Sequence, residues 1–466
     1  MSSKIRQIHT ELTRQEYSCT DLIKNKLSEL ENSPHNSANS ILAKTALQKA
    51  QEIDQKIQQG KKLDELAGIP FGVKDVYLLQ GTYATASADM LKSYKAPYTA
   101  TAIQKLLDKG AIPIVRENCD SFGHGSSSEN TVFGAVKNAL DLQTVAGGSS
   151  GGSAVNVAKN YTVFSIGGDT GGSIRQPAGF NQVYGLKPTY GRISRFGLMA
   201  YASSTDCVGM FTQNLEDTTI LLNAMSGKDF RDQTSVDSPK ISEVSTWKTK
   251  PSNFTVGFYR NFIENEALDA SIKADFINLI EKLQNQGINV QALDFYDAQT
   301  LVATYYIVAM AETASNLARL DGINYGERSD ESVLKDGYAL TRSQNFTQET
   351  KRRIVSGNQV LSQGHSEEIY LQAQNLRNNI MAHFANDFEQ VNVILSPVAP
   401  NHPPKIGENL KNPLAMYLSD AYTVGFSLGK LPTLTAPFGT DIGVQITTAK
   451  NQEETAFQFA QFLETL

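Results

Sequence analysis

Residues 146–185 read AGGSSGGSAVNVAKNYTVFSIGGDTGGSIRQPAGFNQVYG. Two dense glycine–serine knots, Gly147 to Ala154 and Gly167 to Ser173, stand at either end of VNVAKNYTVFSIG, an apolar segment that reads as helix and then strand. A flexible linker carries no such insert, and the second knot runs straight into Ile174, Arg175, Gln176 and Pro177. Glycine at this density lets a backbone take positive φ and come close to a ligand. The serines set among these glycines have no bulky neighbours to shield them. The pattern points to a site where backbone N–H groups and an activated hydroxyl converge on one substrate atom.

Upstream, short apolar runs broken by Gly and Pro, AGIPFGVKD from Ala67 and GAIPIVREN from Gly110, enclose the helix-like TATAIQKLLDKG. Strands alternating with helices predict an α/β fold: a large mixed, mostly parallel β-sheet covered by helices on both faces. The first 60 residues read as helices, from Ile23, Leu27 and Leu30 and from Ala46, Ala50, Ile53 and Ile57, with ENSPHNSANS between them as a loop. After Ser226 the glycines thin out. FTVGFYR alternates apolar residues, ALDASIKADFINLIEKLQNQG is an amphipathic helix stopping at Gly287, and helices are expected over 301–320 and 366–388. VNVILSP, TLTAP and GVQI then return as strands before a final helix from Asn451. The expected organisation is one domain over 1–466. It comprises a helical segment (1–65), a core (66–226), a more helical excursion (227–390) and a return to the core sheet (391–466).

A net charge of −6, from 42 basic and 48 acidic residues, does not fit a chain that holds nucleic acid by itself. Three widely spaced cysteines, Cys19, Cys119 and Cys207, make neither a metal motif nor a disulfide framework. The opening MSSKIRQIHTELTRQEYS has no apolar core of a secretory signal, and the apolar run 301–311 is too short to span a bilayer. A cytoplasmic protein with no membrane association and no metal site is expected.

Phosphate cradling needs a lysine directly after the glycines, and here Val155 and Ile174 follow the knots. GDTGGS is similar to the nucleophile motif of chymotrypsin-like proteases, but it places Thr170 at the nucleophile position. None of the upstream histidines, His9, His35 and His124, has the context of that family's base. A serine nucleophile with a base other than histidine remains. Lysine serves when burial lowers its pKa, and Lys74 closes the apolar run of IPFGVKDV. Asp169 and Arg175, flanking Ser173, read as a structural ion pair that holds the loop.

Together these pieces resemble the amidase signature family, with 75 residues from Lys74 to Ser149 and 24 from Ser149 to Ser173. The resemblance implies the amidase signature fold, Ser173 as nucleophile, Ser149 as a bridging serine after a cis peptide bond, and Lys74 as base. The backbone N–H groups of Thr170, Gly171, Gly172 and Ser173 would form the oxyanion hole. Over nearly the whole chain the similarity runs to one branch, the A subunits of the glutamyl-tRNA(Gln)/aspartyl-tRNA(Asn) amidotransferases. It is carried by NCDSFGHGSSSENTVFGAVKN, GLKPTYGRISRFGL, YYIVAMAETASNLARLDGINYG, TKRRIVSG and PLAMYLSDAYT. That branch implies glutamine as substrate, with Arg353 holding its carboxylate, Asp420 its ammonium and Tyr305 in support. It also implies the B and C subunits of the amidotransferase as partners, with ATP and Mg used by the partner and no cofactor in this chain. Contact with tRNA would come mainly through the partner. Two alternatives stand beside it: a stand-alone amidase for small amides, and a catalytically silent scaffold. The chain departs from the branch at Ser121, where the family has glutamate, at His124, where it has methionine, and in a shortened stretch between Phe438 and Gly443.

Overall fold

The computed structural model describes residues 2–247, 254–329, 333–410, 412–438 and 442–466. The shortened stretch singled out above falls, apart from Ile442, outside them. Among the described residues eleven strands form one sheet. They are β1 (Ala38–Ile41), β2 (Pro70–Lys74), β3 (Ile112–Glu117), β4 (Phe164–Asp169), β5 (Tyr184–Lys187), β6 (Cys207–Thr212), β7 (Thr255–Tyr259), β8 (Asn289–Leu293), β9 (Val393–Pro397), β10 (Thr433–Ala436) and β11 (Val444–Thr447). Their order across the sheet is β1-β3-β2-β4-β6-β5-β10-β11-β9-β7-β8.

The sheet is mixed, as expected, but the parallel majority is not there. Four neighbouring pairs are parallel and six are antiparallel. Hydrophobic periodicity marks a strand without giving its direction. Direction follows from the connection: β2 reaches β3 through the helix Thr101–Asp108, and β7 reaches β8 through Ala270–Asn285, the crossovers that parallel neighbours need. The expected loop 31–40 also needs correction, because its last residues open β1, an edge strand antiparallel to β3. Four residues of ANSI carry no alternation from which to read a strand.

Helices cover both faces, as adjacent side chains of β6 show. Phe211 packs with Ala154, Val157, Ile174 and Ala178 on one side. Met210 enters the main core with Leu215, Leu222 and Phe457 on the other. The carboxyl-terminal strands rejoin the core, β10 pairing with β5. The helical excursion itself contributes β7 and β8 to the far edge. The apolar run 301–311 lies in the helix Ala298–Asn316, much of which is buried in the core. Among the described residues no helix is long and apolar enough to cross a membrane.

Candidate active site

β2 and β4 are parallel neighbours, with Val73 opposite Ile166. Their carboxyl ends, Lys74 and Gly167–Asp169, therefore emerge side by side, at the edge where α/β sheets commonly bind ligands. The first knot meets them there. The Gly148–Ser149 peptide bond is cis. Lys74 is buried, and its Nζ stands 2.7 Å from Ser149 Oγ, 2.8 Å from Ser150 Oγ and 3.5 Å from the Gly168 carbonyl, so that a neutral amine donates to the last two and accepts from Ser149. These partners are neutral. A buried ammonium without a bonded carboxylate is disfavoured, and burial pushes the Lys74 pKa below its ordinary value. The amine is thus poised to take a proton from the Ser149 hydroxyl.

Ser173 stands on the second knot, directly against the first: the Ser150 N–H donates to the Ser173 carbonyl at 3.1 Å. Among the described residues the Ser173 hydroxyl has no hydrogen-bond partner. Nor do the backbone N–H groups of Thr170, Gly171, Gly172 and Ser173, although all four residues are buried. Buried N–H groups are rarely left unpaired, so four in succession make a ready seat for a negative oxygen. The glycines are required by sterics. A Cβ on Gly171 would lie 2.5 Å from the Tyr305 ring, and one on Gly172, at φ +146°, would lie 2.4 Å from Thr423 Oγ1. Thr170 is fixed by its hydroxyl donating to Asp206 at 2.6 Å.

The loop is held from beneath. Arg175 Nη2 and Nε donate to the two oxygens of Asp169 at 2.9 and 3.0 Å, and the N–H groups of Ile174 and Arg175 add to that carboxylate. Burial raises the Asp169 pKa, but the Arg175 charge and hydrogen bonds, the Lys187 charge and the Ile174 N–H together outweigh it and hold the carboxyl below its usual range. Arg175 also donates to Thr423 O, Ser427 Oγ and Gln445 Oε1. Both side chains are fully buried, so Arg175→Met strands a carboxylate in the core and is expected to cost about 3–5 kcal/mol of stability, read from denaturant unfolding. In the wild type, the pair's contribution is present above the unfolded pKa of about 3.9 and fades as pH falls through the depressed folded value.

The three residues assigned to substrate lie around the same loop. Arg353, from the helix Gln348–Leu361, is buried; its Nε donates to Glu349 at 2.8 Å and its Nη1 to Tyr201 OH at 2.5 Å. Its Nη2 is buried with no partner. Asp420 accepts from Tyr306 OH at 2.7 Å and Ser126 Oγ at 2.9 Å, and burial pushes its pKa up to about 6. The Tyr306 ring lies 5.2 Å from the Arg353 guanidinium, so one side chain bridges the two opposite charges. Tyr305 packs on Gly171 and donates to Tyr201 OH at 3.4 Å. Tyr201 in turn shares a cleft with Lys74, Ser149 and Thr170.

A family model for amidases matches residues 21–457. The chain belongs to the amidase family. It is 40% identical to the A subunit of the glutamyl-tRNA(Gln) amidotransferase of Nostoc sp., over 99% of this chain and 97% of that protein. It is also 40% identical to the corresponding subunit of Leptospira interrogans, over 91% and 88%. The crystal structure of the Thermotoga maritima counterpart superposes with a TM-score of 0.79 at 30% identity, covering 96% of this chain and 91% of that one.

Several partners in this amidase escaped the sequence reading. Ser150, which donates to Gly168 O at 3.1 Å, was legible only as the neighbour of Ser149. Glu349 stands one helical turn before Arg353, a spacing that pairs charges. Tyr201, Tyr306 and Asp206 carry no local signal, because only tertiary packing brings them in. The departures also find places. Ser121 is buried with its hydroxyl donating to Ser87 O at 2.6 Å, and His124 is buried beside Tyr201. Among the described residues no group of three His, Cys, Asp or Glu side chains is arranged to hold a metal ion.

Proposed function

We propose that this chain is the glutamine-hydrolysing subunit of a cytoplasmic tRNA-dependent amidotransferase. The observation that carries the reading is the buried, oppositely charged pair Arg353 and Asp420 bridged by Tyr306, with the Thr423 hydroxyl tying Asp420 to Gly171 in the loop of Ser173. A free amino acid presents a carboxylate and an ammonium at fixed separation, and a specific site pairs both. The likeness to the A subunits of glutamyl-tRNA(Gln) amidotransferases supports the same substrate.

In this reading Ser173 Oγ attacks the carboxamide carbon of glutamine while its proton passes to Ser149 and the Ser149 proton passes to neutral Lys74. The N–H groups of residues 170–173 hold the tetrahedral oxyanion. The proton returns to the leaving nitrogen, the C–N bond breaks and ammonia departs. Water then cleaves the acyl-serine ester, releasing glutamate and restoring Ser173. Ammonia passes to the partner B subunit, which uses ATP and Mg to activate the glutamyl or aspartyl end of mischarged tRNA; a small C subunit completes a heterotrimer. This chain needs no cofactor and meets tRNA mainly through its partner. The test is ammonia release from glutamine by the chain alone and with its partner subunits, ATP and mischarged tRNA. Glutaminase activity that rises in the complex is expected. Robust hydrolysis of diverse amides by the isolated chain, without preference for glutamine, would overturn the reading in favour of a stand-alone amidase.

A further inference from the structure

His124 is buried, and its Nε2 has no hydrogen-bond partner. Hydrogen-bond balance at its other ring nitrogen favours one tautomer. Thr347 Oγ1 donates to Thr350 Oγ1 at 3.1 Å, and His124 Nδ1, also at 3.1 Å, is the acceptor that would satisfy the buried Thr350 proton. With Nδ1 accepting, Nε2 carries the hydrogen and is an unsatisfied buried donor. Burial, together with the Arg353 charge, pushes the His124 pKa well below the usual imidazole range, so the ring is neutral at physiological pH.

A second unsatisfied donor packs on the same aromatic neighbour. Arg353 Nη2 is also buried and unpartnered. Both side chains pack on one ring: His124 meets Tyr201 edge-to-face at 4.6 Å between centroids, and the Arg353 guanidinium stands 5.4 Å from the centre of the same ring. Thr350 and Arg353 are three residues apart on one helix and therefore share a face. Leaving one buried donor unpaired is costly, and two together point to an absent acceptor.

We infer that His124 Nε2–H and Arg353 Nη2 together form the seat for the α-carboxylate of the substrate, making His124 a specificity-determining residue of this site. The inference rests on the reading that the substrate is glutamine. Arg353 supplies the charge, and His124 supplies a second, neutral donor whose direction is set by the Thr347–Thr350 relay. A carboxylate bridging the two donors would satisfy both while Asp420 takes the ammonium.

The test compares glutamine with 4-aminobutanamide, the same molecule without its α-carboxylate, using the full chain assembled with its partner subunits. His124→Met keeps a side chain of fitting bulk and removes the donor. The ratio of kcat/KM for glutamine to that for 4-aminobutanamide should fall about 10- to 100-fold, the weight of a hydrogen bond to a charged group, with most of the loss in KM. His124→Gln, which keeps an N–H donor, should recover part of the ratio. An unchanged ratio in a folded His124→Met enzyme overturns the inference and leaves the glutaminase reading standing. Wild-type enzyme that hydrolyses other amides but not glutamine overturns both. Should the variants fail to fold, a structure of Ser173→Ala with bound glutamine decides. A carboxylate oxygen within hydrogen-bond reach of Nε2 supports the seat, and a carboxylate held elsewhere rejects it.

Discussion

Ser173→Ala is expected to lower amide hydrolysis by at least about 10⁴-fold while leaving the fold intact, since groups that act as one nucleophilic unit lose nearly everything when one member goes. The two effects separate cleanly at this position. The Ser173 side chain makes no hydrogen bond among the described residues and is 7% exposed, so removing its oxygen opens no buried donor or acceptor. The stability change should stay within about 1 kcal/mol, the range for substitutions with no named defect. The Lys74–Ser149 hydrogen bond and the four N–H groups of residues 170–173 remain, so glutamine should still bind. Ammonia release under saturating glutamine measures the loss. A fluorophosphonate probe gives an independent readout, because it should modify Ser173 in the wild type and leave Ser173→Ala unlabelled. Activity retained within tenfold in the variant would remove Ser173 from the nucleophile role.

What could be read from the chain before its structure follows the range of each signal. Lys74, Ser149 and Ser173 sit in short strings whose composition is unusual by itself, and the structure puts Lys74 in contact with Ser149 and the Ser173 loop against Ser150. Strands such as β2, β3 and β9 were legible because they are apolar runs buried throughout or nearly so. The polar edge strand β1 was not, nor was β8, which is largely half-buried or exposed. Strand direction escaped as well, for it is a property of connections and not of windows. The surroundings of Arg353 show the same limit more sharply. Tyr201 is 152 residues away in sequence and Tyr417 lies on another helix, yet both rings stand within 6 Å of the guanidinium. No spacing rule reaches that far.

Lys74 carries the second large effect, and its pH dependence identifies its role. Lys74→Met should reduce hydrolysis by about 10²–10⁴-fold, the span typical of losing a general base. A structural lysine would give a different pattern. The Lys74 amine is buried and bonded only to hydroxyls and a carbonyl, with no bonded carboxylate that its removal would orphan. Replacement by an apolar side chain of similar length is therefore not expected to destabilise the fold strongly. In the wild type the rate should rise with pH as Lys74 loses its proton. Since burial lowers that pKa, the rise should be centred below the ordinary lysine value of about 10.4. The sign is fixed by the chemistry: only the neutral amine accepts the Ser149 proton, so acid protonates the base and stops the relay. In Lys74→Met this inflection should vanish, leaving a residual rate that climbs only with hydroxide. A wild-type-like inflection in the variant would show that another group titrates. Asp206, which lines the same cleft and whose pKa burial raises, would then be the group to replace next.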